Sequence, residues 1–184
     1  HAILKDSKGF LWFGTEDGIC RFDGTNPVIF GAKDGLKSSF IYQLYQDKKG
    51  RIWAGTKDGL HYFNGKSFTF YPIKNAKNVF LYFTEDIKGN LYVFNETAGI
   101  VKIDINDLTH SIFLDLEKIK DSEVYSILMD HQNNLWIGTI SSGLLKYTNN
   151  KLTAITEKDG LPSNGITSIF QDSQDVLWLA TLKG

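Results

Sequence analysis

The side chains most able to do chemistry in this sequence are four histidines and a set of regularly spaced aspartates. The histidines are scattered along the chain, and no His-Glu-x-x-His or Cys-x-x-Cys motif accompanies them: His1, His61, His110 and His131. A zinc site therefore has little support. We expect His61, at the start of a strand, and His131, in a turn, to be solvent-facing structural residues. The sequence also lacks a Gly-x-Ser-x-Gly elbow and a phosphate-binding glycine loop. We therefore predict no catalytic residue, metal site or cofactor, and we predict that this segment is not an enzyme.

The aspartates recur at a nearly constant interval. Their spacings are 41, 39, 44 and 42 residues, and they are Asp6, Asp47, Asp86, Asp130 and Asp172. Carboxylates of this kind could bind calcium. However, each one heads a predicted β-turn, where its side chain can accept a hydrogen bond from the backbone two residues on. One aspartate per repeat would form a ring rather than a cluster, which argues against calcium.

Each aspartate opens a repeat that contains an aromatic residue six positions later. These residues are Trp12, Trp53, Tyr92, Trp136 and Trp178. A period of about 40 residues, with hairpin signals such as Asp23-Gly24 and Asn64-Gly65, predicts four short antiparallel strands per repeat. That pattern is typical of a β-propeller blade. We therefore predict an all-β fold, a fragment of a β-propeller over residues 1–184 with four-stranded antiparallel blades.

The repeats also predict the blade boundaries. Blade 1 covers about 1–36, blade 2 about 37–76, blade 3 about 77–120, blade 4 about 121–162 and a half blade 163–184, or about four and a half blades. The second strand of each repeat is apolar on both faces, as expected of a sheet packed between two neighbours. We interpret the tryptophans as inter-blade core. The glycines that follow them, Gly14, Gly55 and Gly138, would let the next blade approach the backbone closely.

The remaining candidates are polar loops that should share one mouth of the propeller. Turns between second and third strands lie on the same face as the connections between blades, and loops on a rigid scaffold often carry function. We select as ligand-binding candidates Lys57, Asp58, Glu96, Thr97, Ser141 and Ser142. Neighbouring positions on the same face are Glu16, Asp17, Ala98, Lys33, Asp34, Lys74, Asn75, Lys158 and Asp159. Polar groups beside Tyr and Phe suit a sugar, although ordinary solvated turns remain the alternative for each residue.

Composition excludes several partner classes. The chain is 42% hydrophobic and 22% charged with a net charge of −1, so it is globular and shows no preference for nucleic acid. No apolar run approaches the ~20 residues needed to cross a bilayer. A single cysteine, Cys20, rules out an internal disulfide.

The motifs resemble the two-component regulator propeller repeat. The resemblance rests on Gly160-Leu161-Pro162-Ser163-Asn164, on Gln46-Asp47 with Trp53-Ala54-Gly55-Thr56, and on Gly18-Ile19-Cys20-Arg21-Phe22-Asp23-Gly24. The third copy departs from it, because Tyr92 replaces Trp, Phe94-Asn95 replaces Gly-Thr, and the linker 75–79 lacks the Gly-Leu-Pro signature. We expect the packing of that blade to be specialised.

The resemblance implies a sensory role. Such repeats form the extracytoplasmic half of hybrid two-component sensors in Gram-negative bacteria, and many of these sensors respond to oligosaccharides from glycan breakdown. The implied protein would be anchored in the inner membrane with a histidine kinase elsewhere in its chain, and this segment would be a soluble periplasmic ligand-binding module. The alternative is a propeller used for protein–protein contact or dimerisation, with no small-molecule ligand. A propeller enzyme such as a lyase or glycosidase is a third possibility, and the regularity of the turns argues against it.

The ends of the sequence lead to an expectation about self-association. The chain begins within an innermost strand and closes with two strands, 166–171 and 176–182. We expect a fragment of a larger propeller whose open, apolar sheet edge pairs with a second copy, most simply as a two-fold dimer.

Overall fold

The computed structural model is an all-β fold of short antiparallel strands. It describes residues 1–74, 76, 79–119 and 122–183. The strands of the first two blades are β1 (Ala2–Lys5), β2 (Leu11–Gly14), β3 (Ile19–Phe22), β4 (Pro27–Phe30), β5 (Ile41–Gln46), β6 (Ile52–Thr56), β7 (Gly59–Phe63) and β8 (Phe68–Tyr71). Those that follow are β9 (Phe80–Glu85), β10 (Leu91–Asn95), β11 (Gly99–Ile103), β12 (His110–Leu114), β13 (Val124–Met129), β14 (Leu135–Thr139), β15 (Leu144–Thr148), β16 (Lys151–Ile155), β17 (Ile166–Gln171) and β18 (Leu177–Thr181).

The strands form four four-stranded meanders and a final hairpin. Within each sheet the strands pair antiparallel in chain order, from β1 to β4, β5 to β8, β9 to β12 and β13 to β16, and β17 pairs with β18. The innermost strands contact one another in sequence, β1 with β5, β5 with β9, β9 with β13 and β13 with β17. Three connections between blades contain a short 3-10 turn, at Ala32–Asp34, Leu116–Lys118 and Glu157–Asp159. The predicted propeller blades are confirmed.

The repeated aspartate holds each blade together through more bonds than the sequence predicts. In blade 1, Oδ1 of Asp6 accepts hydrogen bonds from the backbone N–H of Lys8 and of Phe10, both at 2.9 Å. Its other oxygen, Oδ2, accepts one from the indole Nε1 of Trp12 at 2.8 Å. The same indole bond recurs at the three other tryptophans, and Tyr92 replaces it with its hydroxyl at 3.2 Å from Asp86. Each aspartate therefore accepts hydrogen bonds from the backbone of the turn that it opens and from the aromatic residue six positions later.

The tryptophans fill the space between blades, as expected. Trp12, Trp53 and Trp136 are buried, whereas Trp178 in the final hairpin is 61% exposed. All five residues of β6 and of β14 are buried, so these second strands are covered on both faces. Neighbouring blades are also joined at the turns: the backbone N–H of Ser7 donates to Oε1 of Gln46 at 2.8 Å, and the N–H of His131 donates to Oε1 of Gln171 at 3.0 Å.

Glycine in the second strand is required because the next blade approaches it closely. A Cβ at Gly55 would lie 2.1 Å from the carbonyl oxygen of Phe80, the first residue of β9. A Cβ at Gly14 would lie 2.7 Å from the Ile41 side chain, and one at Gly138 would lie 2.9 Å from the carbonyl oxygen of Ile166. Both distances are inside normal van der Waals contact. The predicted close approach is confirmed.

One histidine prediction is wrong. His61 is fully buried, because the connection between blades 1 and 2 folds over β7 and the N–H of Lys37 donates to His61 Nε2 at 3.1 Å. Burial, together with the nearby Lys37 ammonium, lowers the pKa of His61 to about 4, so the ring is neutral at pH 7. His131 is exposed, as predicted, and its Nδ1 lies 2.6 Å from an oxygen of Asp175.

Candidate functional site

The candidate loops occupy one face of the propeller, which we call the mouth face. It carries the turns that follow each second strand and the connections that lead into the next blade. The two sets of loops are hydrogen bonded to each other: the N–H of Gly18 donates to the Ser39 carbonyl at 2.8 Å, and the N–H of Gly143 donates to that of Asn164 at 3.1 Å. The structure therefore places the predicted loops together on this face.

The six selected residues lie on turns of three different blades. Lys57, Asp58, Glu96, Thr97 and Ser141 are exposed, and Ser142 is half-buried. Several of their polar groups maintain the turn itself, since Asn95 Oδ1 accepts from both the backbone N–H and the hydroxyl of Thr97 at 3.0 and 2.8 Å, and Ser142 N–H donates to the hydroxyl of Thr139 at 2.9 Å. Of the six, Glu96 lines the groove described below.

Several other acidic side chains on the mouth face also make local hydrogen bonds or ion pairs. Asp34 and Asp159 each close a 3-10 turn, accepting from the N–H of Gly31 and of Thr156 at 2.9 Å. Glu16 lies 3.2 Å from the ring of His1. Asn75 and most of the linker 75–79 fall outside the described residues, so those two predictions have no structural counterpart here.

A groove lies on the mouth face beside the third blade, which lacks the second-strand glycine. Phe94 stands in β10 where blades 1, 2 and 4 have Gly14, Gly55 and Gly138. Its side chain is buried and packs in one core cluster with Val124 and Ile127 of the next innermost strand. A groove of about 530 Å³ lies here between blades 3 and 4; we call it the mouth groove, and it is lined by Leu81, Tyr82, Phe94, Glu96, Leu116, Ser122, Glu123, Val124 and Tyr125.

Two tyrosines of the mouth groove are placed by β-bulges. Blade 4 has its bulge between Val124 and Ser126, which leaves Tyr125 unpaired and 42% exposed. In blade 3 the register shifts between Val93 and Phe94 of the second strand. The unpaired residue is Tyr82, which stands one position further along its innermost strand than Tyr125 does and has a φ of 47°. A non-glycine residue in this left-handed region is uncommon and often marks a functional position. The Tyr82 ring stacks against Phe94 with centroids 6.4 Å apart.

The mouth groove combines aromatic faces with hydrogen-bonding groups. Burial raises the pKa of the Tyr82 hydroxyl, and Tyr125 and Glu96 raise it further, so the hydroxyl is protonated and can donate at neutral pH. The carboxylates of Glu96 and Glu123 are exposed and can accept hydrogen bonds. The described lining contains these two carboxylates and no lysine or arginine, so it suits a neutral ligand that is rich in hydroxyl groups.

Sequence reasoning missed the tyrosines that make this groove. The signal was an apolar residue followed by Tyr near the start of three innermost strands, at Ile41-Tyr42, Leu81-Tyr82 and Val124-Tyr125.

Among the described residues, no group of three or more His, Cys, Asp and Glu side chains could hold a metal ion. None of the described helices is long and apolar enough to span a membrane.

The repeats match a known family model. The description of that model is two component regulator propeller, and it covers residues 1–17, 35–58, 118–141 and 160–183. The longest interval without a match, 59–117, contains the third repeat, whose Tyr92 and Phe94 depart from the motif. Among curated proteins, the chain is 34% identical over 70 residues to Histidine kinase P4 of Formosa agariphila, over 35% of this chain and 5% of that protein.

Solved structures share the fold at low identity. The extracellular domains of the putative hybrid two component systems BT3049 and BT4673 of B. thetaiotaomicron superpose with TM-scores of 0.82 and 0.83 at 22% and 21% identity. All of this chain is covered in both cases, but the chain spans only 27% and 26% of those domains. Virginiamycin B lyase from Staphylococcus aureus superposes with a TM-score of 0.77 at 16% identity, over the whole of this chain and 63% of the lyase. These likenesses establish the propeller fold. Four segments of the chain match the two component regulator propeller repeat, and the chain therefore carries repeats of that type.

Proposed function

We propose that this chain is a ligand-sensing propeller segment of a hybrid two-component signalling protein, located outside the cytoplasm and, in a Gram-negative cell, in the periplasm. The family repeats and the likeness to extracellular domains of hybrid two-component systems support this role. The partial match to a histidine kinase supports a kinase region elsewhere in the same protein. The segment itself binds its ligand without transforming it.

The proposed ligand is a neutral oligosaccharide derived from a glycan, bound in the mouth groove. The observation that carries this proposal is the mouth groove itself, in which the exposed Tyr125 lies beside Tyr82 and two carboxylates. Sugar rings pack their C–H faces on aromatic side chains, while their hydroxyls need polar partners. A volume of about 530 Å³ lies within the usual size range of small-molecule sites.

Calorimetric titration of the chain with a panel of neutral oligosaccharides tests the proposal. We expect one class to bind, and we expect Tyr125→Ala to weaken its binding about tenfold or more, as loss of a central aromatic contact does. Tyr42→Ala is the matched control, because Tyr42 is the bulge residue of blade 2 and lies outside the mouth groove. Equal affinities of Tyr125→Ala and Tyr42→Ala would contradict the proposal.

The parent gene tests the sensor role separately. We expect the reading frame to encode a histidine kinase after this segment. A reading frame that ends or continues without one contradicts the assignment to a hybrid two-component protein.

Self-association is a second candidate function, favoured by the final hairpin. Three large apolar side chains are exposed there: Phe170 on β17 at 62%, Trp178 on β18 at 61% and Leu182 after β18 at 60%. Such an apolar surface beside an unpaired strand favours pairing with another chain. We propose that a second copy covers it in the isolated 184-residue chain. Sedimentation equilibrium should show a dimer that Trp178→Lys dissociates, and a monomeric wild-type chain would refute this.

A further inference from the structure

A second groove, on the face opposite the mouth, collects basic and aromatic side chains. It lies between blades 1 and 2, where the turn after each innermost strand faces away from the mouth, and its volume is about 520 Å³. Its charged lining comprises four cations, Lys8, Arg21, Lys49 and Arg51, and one carboxylate, Asp6. We call it the basic groove. Its excess of positive charge contrasts with the chain's net charge of −1.

The one lining carboxylate does not neutralise these cations by direct contact. Asp6 is 8% exposed, and its two oxygens are engaged by Lys8 N–H, Phe10 N–H and Trp12 Nε1. Arg51 is paired with Asp47, Nε to Oδ2 at 2.7 Å. Over residues 1–74, 76, 79–119 and 122–183, the ion pairs within 4 Å do not include Lys8, Arg21 or Lys49.

Two of the cations are held in fixed positions. The Arg21 guanidinium carbon lies 4.8 Å from the centroid of the Phe10 ring and 5.6 Å from that of Trp12. Arg51 donates from Nη2 to the Ile105 carbonyl at 2.7 Å, in addition to its bond with Asp47. Because these side chains are already ordered, binding an anion costs them little conformational entropy. A planar guanidinium can donate two parallel hydrogen bonds to a carboxylate or a sulfate.

Arg21 occupies a position that is basic in three of the four blades. The third-strand residue opposite the repeated aromatic is Arg21 in blade 1, Tyr62 in blade 2, Lys102 in blade 3 and Lys146 in blade 4. Arg21 and Tyr62 both line the basic groove. Lys146 makes the same kind of contact over Trp136, at 4.8 Å from the ring, but lies outside the groove.

We propose that the basic groove binds an acidic oligosaccharide through its carboxylate or sulfate groups. The lysines at the rim attract the anion, the Arg21 guanidinium takes one oxyanion group, and the rings of Phe10 and Tyr62 receive the sugar faces. A groove of about 520 Å³ has the size of a small-molecule site, which fits a short saccharide better than a folded protein partner. This site is separate from the mouth groove and does not depend on it.

Calorimetric titration of the chain with trigalacturonic acid, a sulfated chondroitin disaccharide and neutral maltotriose tests the proposal. We expect an anionic saccharide to bind, its affinity to fall as salt is added, and maltotriose to bind at least about tenfold more weakly. The carboxylate and sulfate probes show which anion the groove prefers. Arg21→Gln should reduce the affinity about tenfold or more.

Lys146→Gln is the matched control, because it removes a cation from the equivalent position of blade 4. Tyr125→Ala should also leave this affinity unchanged, which separates the basic groove from the mouth groove. Circular dichroism shows whether each variant folds. No binding of either anion up to about 1 mM, equal losses in Arg21→Gln and Lys146→Gln, or equal affinity for a triglutamate peptide would overturn the proposal.

Discussion

Replacing Gly55 by alanine tests how one blade makes room for the next. The new Cβ would lie 2.1 Å from the carbonyl oxygen and 3.0 Å from the carbonyl carbon of Phe80, with the Phe83 ring at 3.5 Å. Optimal contacts between non-bonded atoms begin near about 3.5 Å, so the innermost strand β9 must move by about 1 Å. Phe80 is buried, and the obstacle is backbone rather than the end of a flexible side chain.

The size of the effect follows from two opposing contributions. Overpacking a core costs about 1–3 kcal/mol, and the upper part of that range applies where backbone must shift. Alanine also reduces the entropy of the unfolded chain, which offsets about 0.4–1 kcal/mol. We expect a net loss of about 2 kcal/mol in the free energy of unfolding. For a chain of this size it corresponds to a fall in Tm of about 4–8 °C.

Urea unfolding followed by tryptophan fluorescence measures this loss. The matched control is Gly31→Ala, because a Cβ there meets nothing within 4 Å and its φ of −140° is open to any residue. We expect Gly31→Ala to unfold within about 0.5 kcal/mol of the wild type. If Gly55→Ala is as stable as Gly31→Ala, close approach of the next blade is not the reason for the glycine.

Two further predictions concern buried polar groups. Burial lowers the pKa of His61 to about 4 in the folded chain, from about 6.5 in the unfolded chain. Between these pH values the unfolded chain binds more protons than the folded chain. The free energy of unfolding is therefore highest above about pH 6.5 and falls toward pH 4, by at most about 3 kcal/mol. Urea titrations at several pH values should show that His61→Gln flattens this dependence, and an unchanged slope in this variant would disprove the assignment. Trp136→Phe should cost about 1–3 kcal/mol, since it removes a donor from the buried Asp130, whereas Trp178→Phe in the exposed hairpin should cost less than about 1 kcal/mol; equal losses would refute this role of the indole bond.

The local features of the fold were accessible to sequence reasoning because they repeat. Asp47, Trp53 and the glycine at 55 recur at the same positions in successive copies, and each has a chemical preference that holds within one blade. The departure of Phe94 was equally visible. The mouth groove beside it could not be predicted from the sequence, because a groove depends on how two neighbouring blades pack.

Most of the features that the sequence did not reveal arise between blades. His61 looked like a solvent-facing residue because its own strand gives no sign of the connection that covers it. Lys8, Arg21 and Lys49 belong to separate turns and strands, so their convergence depends on the angle between two blades. The bulge at Tyr82 is displaced by one residue from that of its neighbours, and a repeat pattern cannot predict such a shift.

The proposed function makes the mouth groove the place where a neutral oligosaccharide is recognised. A crystal structure of the chain with the tightest-binding neutral oligosaccharide tests this most directly. We predict sugar rings packed against Tyr82 and Tyr125, with their hydroxyls donating to Glu96 or Glu123. A saccharide bound elsewhere, with the mouth groove empty, would contradict the proposal.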